Sequence, residues 1–233
     1  MTTAAGNDIL ISAEGLSAGY NGQPIISNIN LTVRAGEMVG LFGANGAGKT
    51  TTLLTIAGEV APLGGQLSVL GSKPGSLYKA AKLGLAMLTD DRGIFPPLSV
   101  QDNLRLGRGT VEDAVAHFPE LEEHLERRAG LLSGGQQQML ALARILAARP
   151  RVILADELSL GLAPLIVKRL LTALRNAADD GAAVLLVEQH VAVALAKVDR
   201  ACVLVHGTIA LERPAKELRE HPEIIQDLYL TAG

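Results

Sequence analysis

A glycine-rich stretch carries the strongest chemical pattern in this chain. It matches G-x-x-x-x-G-K-[ST], which is typical of loops that bind the phosphates of ATP or GTP. Its residues are Gly43, Ala44, Asn45, Gly46, Ala47, Gly48, Lys49 and Thr50. The glycines let the backbone turn sharply and come close to a ligand, so that its N–H groups form an anion site at a helix start. Lys49 then supplies a charge for the β- and γ-phosphates, the Thr50 hydroxyl is a ligand for Mg²⁺, and Thr51 extends the nucleotide-binding set. An accidental glycine-rich turn is the alternative, and the apolar strand before and the helix after the stretch argue against it.

Two adjacent carboxylates, Asp156 and Glu157, follow an apolar run at residues 152–155. Ligands of open α/β sheets bind at the carboxyl ends of the strands, so we expect this pair beside the phosphates. The first carboxylate would hold Mg²⁺ through its water shell, and the second would orient and partly deprotonate the attacking water. The alternative is a pair of solvated charges at a strand end, and the upstream phosphate loop disfavours it.

A second anion site is predicted at residues 132–136. Ser133 is a favourable N-cap for a helix over residues 134–148, and Gly134 and Gly135 leave backbone N–H groups accessible. Gln136 completes the pattern. A plain N-cap at a tight turn is the alternative. Two phosphate-binding helix starts in one domain make sense if they serve different molecules of a dimer.

Composition and periodicity place these residues on an α/β framework. The chain has 233 residues, 48% of them apolar but only 3% aromatic, so the core must be aliphatic, as in a parallel sheet covered by helices. We predict strands and turns over residues 9–33, a charged helical block over 90–144 that includes a helix over 121–128, and strand–helix alternation after Pro150. The expected organisation is an ATP-binding core with an antiparallel β part (residues 1–89 and 145–233) and an inserted helical subdomain (residues 90–144).

Charge and cysteine usage exclude some classes of protein. The 21 Lys and Arg nearly balance the 24 Asp and Glu, so no basic footprint for nucleic acid is present. The single cysteine, Cys202, lies in an apolar run and is expected to be a small buried hydrophobe in a reducing compartment. No secretion signal or bilayer-spanning run is found, so we expect a soluble protein that reaches membranes only through partners.

The phosphate loop, residues 132–136 and residues 155–157 together resemble an ATP-binding-cassette (ABC) ATPase over nearly the whole chain. The resemblance implies a P-loop NTPase fold with a mixed sheet, bound ATP and Mg²⁺, and two cassettes packed head to tail. In such a pair Ser133, Gly135 and Gln136 would contact the γ-phosphate on the opposite subunit. It also implies that Tyr20 stacks on adenine, with a half-buried strand tyrosine as the alternative, and that residues 159–163 communicate across the dimer.

Finer matches at residues 94–96, 137–140, 159–164 and 187–190 resemble one ATPase subunit of branched-chain amino-acid importers. This implies an ATPase that is cytoplasmic and peripheral on the inner face of the plasma membrane, where its hydrolysis powers uptake. The implied partners are a second ABC subunit, identical or different, and integral membrane permease subunits, with a solute-binding protein acting indirectly. No nucleic-acid partner is implied.

Departures from the family pattern keep other hypotheses open. Asp90 stands where the family has Gln or Glu and is one methylene shorter, so we expect it to reach Mg²⁺ or the water through a further water. Leu158 replaces a proline, which is expected to loosen the loop carrying Glu157. Gln189 aligns with the switch histidine and can donate a hydrogen bond to the γ-phosphate, while His190 is either a catalytic neighbour or a helix-start residue. The alternative functions are a non-hydrolysing regulatory subunit and a soluble ABC ATPase outside transport.

Overall fold

The computed structural model describes residues 8–89, 91–159, 161–188 and 191–231. Its strands are β1 Ile9–Tyr20, β2 Gln23–Arg34, β3 Met38–Phe42, β4 Pro62–Val69, β5 Leu85–Leu88, β6 Val152–Asp156, β7 Ala183–Val187, β8 Arg200–Val205 and β9 Thr208–Pro214. Its α-helices are α1 Lys49–Ala57, α2 Leu77–Leu83, α3 Val100–Arg105, α4 Val111–His117, α5 Gly134–Leu146, α6 Pro164–Asp179, α7 Val191–Leu195, α8 Ala215–Glu220 and α9 Glu223–Thr231. Short 3₁₀ helices span Pro119–His124 and Ala129–Leu131.

The described strands form two sheets. A six-stranded sheet has the order β5-β6-β7-β3-β8-β9, and every neighbouring pair is parallel except β8 and β9. A three-stranded antiparallel sheet has the order β2-β1-β4, with the β1–β2 hairpin turning at Asn21 and Gly22. Both turn residues have positive φ, as a two-residue hairpin turn requires. The expected α/β fold with a mixed sheet and an antiparallel β part is confirmed.

The six-stranded sheet separates two largely aliphatic cores. On one face, side chains such as Val39 and Leu41 of β3 pack against α1 and the antiparallel sheet. On the other face, Met38 and Phe42 pack with residues of α3 to α8. Every residue of β3, β6 and β7 is buried, which explains why these strands read as continuous apolar runs. No helix of the described residues combines the length and the apolar character needed to cross a membrane.

The helical region differs from the sequence expectation after residue 124. The predicted helix over residues 121–128 is wrong, because the chain forms only the 3₁₀ turn Pro119–His124. The carbonyls of Leu125 and Arg127 accept hydrogen bonds from the first amides of α3, Gln101 and Val100, at 2.9 Å each. These carbonyls therefore bind the N-terminus of α3 and do not accept the hydrogen bonds of a helix over residues 121–128. The side chains of α3 to α6 share one core, and the division into core and helical subdomain stays a prediction.

Candidate functional site

The phosphate loop connects the end of β3 to the start of α1. The Lys49 ammonium folds back over the loop and donates hydrogen bonds to the carbonyls of Gly43 at 2.9 Å and Ala44 at 3.1 Å. Gly48 caps α1 with φ +105°, and a Cβ there would lie 2.5 Å from Cγ2 of Ile26. Glycine is therefore required for both its backbone conformation and its close packing.

Charge around Lys49 points to an anion-binding role. Its side chain is only 5% exposed, and this burial lowers the pKa of the ammonium, while Glu157 and Asp156 act in the opposite direction. Both carboxylates are thus close enough to influence the charge of Lys49. A polyphosphate bound at the α1 N-terminus would add negative charge and favour the protonated form.

One open cleft brings half of the predicted nucleotide-binding residues together. Its volume is about 490 Å³, and it is lined by Tyr20, Ile25, Asn45, Gly46, Gly48, Lys49, Thr50, Thr51 and Glu157. Tyr20, at the end of β1, is 48% exposed, which leaves its ring available for stacking. Ile25 was not singled out from the sequence. Ile25 follows the β1–β2 hairpin turn and lies close to Tyr20 in the pairing of these strands. Its position shortly after the predicted turn was the sequence feature that could have indicated a place in the site.

The two predicted carboxylates, Asp156 and Glu157, lie at the end of β6. Asp156 is the last residue of this strand and is 6% exposed. Glu157 turns the chain with φ +46°, and its amide donates to the Val187 carbonyl of β7 at 3.0 Å. The parallel strands therefore present both carboxylates at the carboxyl edge of the sheet, where the phosphate loop also lies.

The donor set fits Mg²⁺ bound together with a nucleotide. The described residues contain no group of three or more His, Cys, Asp or Glu side chains that could hold a metal ion. Magnesium in nucleotide sites is typically held by one or two protein oxygens, substrate phosphates and waters. Thr50 in the first turn of α1 and Asp156 at the end of β6 are of that kind.

Ser133 begins the second predicted anion site as the N-cap of α5. Its hydroxyl accepts from the Gln136 amide at 3.3 Å, and the Gln136 side-chain oxygen accepts from the Ser133 amide at 2.9 Å, which together form a capping box. Ser133 and Gly134 are exposed, and a Cβ on Gly135 would lie 3.1 Å from Cγ2 of Ile166. Residues 133–136 do not line the 490 Å³ cleft of the same chain. The exposure of Ser133 and Gly134 leaves the start of α5 available to a second molecule.

The loop after β5 is held against α5 by arginines that the sequence interpretation missed. Arg92 has φ +61°, and its guanidinium donates to Gln138 at 3.0 Å and to Gln137 at 2.7 Å. Arg144 donates to the Gly93 carbonyl at 2.6 Å. These hydrogen bonds attach the loop to the helix that Ser133 caps. The only sequence signal was the family-like match at residues 94–96 and 137–140.

Four predicted positions, Asp90, Leu160, Gln189 and His190, lie outside the described residues. Leu158 is described, and it is 1% exposed and packed in the core below the helices. Its burial attaches the loop that carries Glu157 to the core, and the expectation that a residue other than proline loosens this loop stays a prediction.

Gly207 supports the phosphate loop through a backbone hydrogen bond. It lies in the turn between β8 and β9, donates from its amide to the Ala47 carbonyl at 3.1 Å and accepts from the Ser27 amide at 2.8 Å. Its φ is +78°, and a Cβ would lie 2.2 Å from the Ile25 carbonyl oxygen. A glycine between two apolar runs indicates a turn, but the sequence does not indicate that this turn contacts the phosphate loop.

A mainly parallel sheet, a glycine-rich loop with a lysine folded back over it, and carboxylates at a strand end on the same edge of the sheet define a P-loop nucleotide-binding protein. Residues 26–159 match the family model described as ABC transporter. The chain therefore belongs to the ABC transporter family and is an ATPase of that family.

Individual relatives show how far the likeness extends. The chain is 34% identical to the high-affinity branched-chain amino acid transport ATP-binding protein BraG of Pseudomonas aeruginosa, over 95% of this chain and 99% of BraG. It is also 34% identical to the lipopolysaccharide export system ATP-binding protein LptB of Escherichia coli K12, over 94% of this chain and 96% of LptB. A solved ATP-binding subunit of an ABC transporter superimposes with TM-score 0.81 and 25% identity, covering 96% of this chain and 99% of that chain.

Proposed function

We propose that this ATPase powers an importer of branched-chain amino acids or similar small polar solutes. The convergence of Lys49, Thr50 and Glu157 on one cleft carries the hydrolytic part of the proposal. The likeness to BraG over almost the whole of both chains supports the transport of branched-chain amino acids. The equal identity to LptB makes the direction of transport the part that most needs an experiment.

In this mechanism the nucleotide is held by residues 43–51. The loop amides and Lys49 bind the phosphates, Tyr20 stacks on the base, and Ile25 packs beside it. Thr50 and Asp156 would hold Mg²⁺, which supplies charge neutralisation on the β- and γ-phosphates. Positioning and charge stabilisation lower most of the barrier, as in other phosphoryl transfers.

Glu157 is placed to act on the attacking water. Its carboxylate accepts a hydrogen bond from the water, orients it in line with the γ-phosphate and takes up its proton as the oxygen attacks phosphorus. The bond to the β-phosphate oxygen breaks, and ADP and inorganic phosphate leave. Asp90 through a water, and Gln189 and His190 near the γ-phosphate, are proposed to assist.

A second cassette, identical or different, would complete the site. The capped start of α5 is exposed at Ser133 and Gly134 and half-buried at Gly135 and Gln136. It would offer amides to a γ-phosphate held by the partner. The triphosphate then joins two subunits, and hydrolysis weakens the contact by separating charged products. The alternative, a regulatory subunit that does not hydrolyse ATP, differs in leaving turnover to its partner.

Permease subunits would receive the motion at a groove between α2 and α5. This groove of about 310 Å³ is lined in part by Ala81, Met87, Arg108 and Arg144. Arg144 also donates to the Gly93 carbonyl of the loop after β5, and this contact would carry motion between the groove and the ATP site if Asp90 acts there as proposed. The chain would then work in the cytoplasm on the inner face of the plasma membrane, with a solute-binding protein acting through the permease.

The hydrolytic proposal is tested with Glu157→Gln in the full chain. The variant should bind Mg-ATP with wild-type affinity, but its turnover should fall by about 100-fold or more because the water loses its base. Glu122→Gln, at an exposed position away from the cleft, is the matched charge control. Turnover of Glu157→Gln at the wild-type rate would refute the assigned role.

Transport direction is tested in cells that contain the chain's own permease. Lys49→Ala should abolish uptake of labelled leucine and leave uptake of an unrelated solute unchanged. Unchanged leucine uptake, together with normal expression of the variant, would refute import of this class of solute.

A further inference from the structure

Glu188 is a buried carboxylate that the mechanism above does not use. It follows the last residue of β7 and is only 1% exposed. Burying a carboxylate is costly unless hydrogen-bond donors compensate it. Ser159 supplies two, its amide at 2.9 Å to one carboxylate oxygen and its hydroxyl to the other.

The contact between Glu188 and Ser159 is one of three that hold residues 157–159 in place. The Glu157 amide donates to the Val187 carbonyl, the Leu158 side chain is buried in the core, and Ser159 is held at two points by Glu188. The end of β7 therefore holds both ends of this short segment. One end carries the carboxylate that faces the nucleotide cleft, and the other begins the segment 159–163.

We propose that Glu188 is a positioning residue for ATP hydrolysis, which fixes the loop of residues 157–159 through its two-point contact with Ser159. This inference rests on the proposed function, because its effect on the reaction passes through Glu157. By holding Ser159, Glu188 restricts the direction of the Glu157 side chain and sets the start of the segment that we expect to face the second cassette. A displacement of about 1 Å in such a group is enough to lower catalysis strongly.

The chemistry of the contact separates a positioning role from a requirement for charge. In Glu188→Gln the amide oxygen can accept from the Ser159 amide, and the NH₂ group can donate to the Ser159 hydroxyl, which rotates to accept. The two-point contact then survives without the charge. Glu188→Ala removes both points and leaves a buried N–H without its acceptor, whereas Ser159→Ala removes only the hydroxyl contact.

Steady-state ATPase measurements on the full chain give the first test. Glu188→Ala should lower kcat by about 10- to 100-fold with a KM for Mg-ATP within about twofold of wild type, because the phosphate loop is untouched. Ser159→Ala should lower kcat by about 3- to 10-fold, and Glu188→Gln should retain most of the activity. Val184→Ala, a buried change at the other end of the same strand, is the control and should keep kcat near wild type.

Hydrogen–deuterium exchange of the peptide around residue 159 gives a second test that needs no turnover. The Ser159 amide should be protected in wild type, Glu188→Gln and Val184→Ala, and should exchange at least about tenfold faster in Glu188→Ala. If wild type binds Mg-ATP but never hydrolyses it, the proposed function fails, and the exchange data alone decide whether the contact holds the loop.

Two results would overturn the inference. One is a Glu188→Ala variant with wild-type kcat and unchanged exchange at Ser159. The other is a Glu188→Gln variant as inactive as Glu188→Ala, because the negative charge and not the positioning contact would then be what the reaction needs.

Discussion

Replacement of Gly207 by alanine would test how the phosphate loop is held in place. Gly207 joins the β8–β9 turn to Ala47 and Ser27 through its amide and its carbonyl. An alanine Cβ would lie 2.2 Å from the Ile25 carbonyl oxygen, so the turn has to move by about 1 Å to reach ordinary contact. That movement would stretch the hydrogen bond to Ala47, and the phosphate loop would lose its brace.

The expected loss of stability has separable parts. A left-handed backbone costs an alanine about 1–2 kcal/mol, overpacking adds about 1–3 kcal/mol, and a weakened hydrogen bond adds about 1 kcal/mol. Gly71 is the matched control, since its φ of +76° nearly equals the +78° of Gly207, but a Cβ there meets nothing within 4 Å. Gly71→Ala should therefore lose only the about 1–2 kcal/mol of the backbone part.

Urea unfolding followed by circular dichroism measures both losses, and an unchanged m-value validates the comparison. Isothermal titration with Mg-ATP then measures the effect on the site. We expect Gly207→Ala to lose about 2–4 kcal/mol more stability than Gly71→Ala and to bind nucleotide about tenfold more weakly. Equal losses of stability in the two variants, or an unchanged affinity in Gly207→Ala, would refute the reasoning.

Other variants test the remaining parts of the structure. Lys49→Ala should abolish detectable Mg-ATP binding in calorimetry, because the buried ammonium is the side-chain charge of the phosphate loop; retained binding would contradict this. Arg200 holds Glu37 at 2.7 Å and is largely buried, so Arg200→Ala should lower the free energy of unfolding by about 1–3 kcal/mol in urea titrations. Arg149→Ala, which removes an exposed pair at 3.4 Å, should lower it by less than about 0.5 kcal/mol, and similar losses in both arginine variants would be inconsistent with burial as the cause. Burial raises the pKa of the Cys202 thiol to about 12, so a disulfide reagent at pH 8 should modify it at least about 100-fold more slowly in the native protein than in guanidinium; equal rates would place the thiol at the surface.

The pattern of residues predicted those parts of the site that are local in the chain. Gly48, Lys49 and Thr50 are consecutive, so their spacing alone indicates a helix start with a bound anion. Asp156 and Glu157 end an apolar strand, and their position at the carboxyl edge follows from the parallel sheet. The N-cap role of Ser133 was likewise local, because a capping box is set by the residue three positions further on.

Local patterns failed where distant segments compete for the same backbone groups. The helix expected over residues 121–128 stops at His124, because the carbonyls of Leu125 and Arg127 bind the start of α3. The burial of Leu158 was also not foreseen, since burial in the core depends on neighbours from several helices. Neither outcome can be deduced from propensity alone.

The sequence by itself determined the chemical groups of this protein, which are a phosphate loop, a carboxylate pair and a capped helix start. Each of them consists of a few residues that are adjacent in the chain. Only the tertiary structure decided how these groups are held. The contact of Glu188 with Ser159 joins residues 29 positions apart, and Gly207 reaches Ala47 from a different strand pair. The reason is physical: hydrogen bonds and close packing act over a few ångströms in space, whatever the separation along the chain.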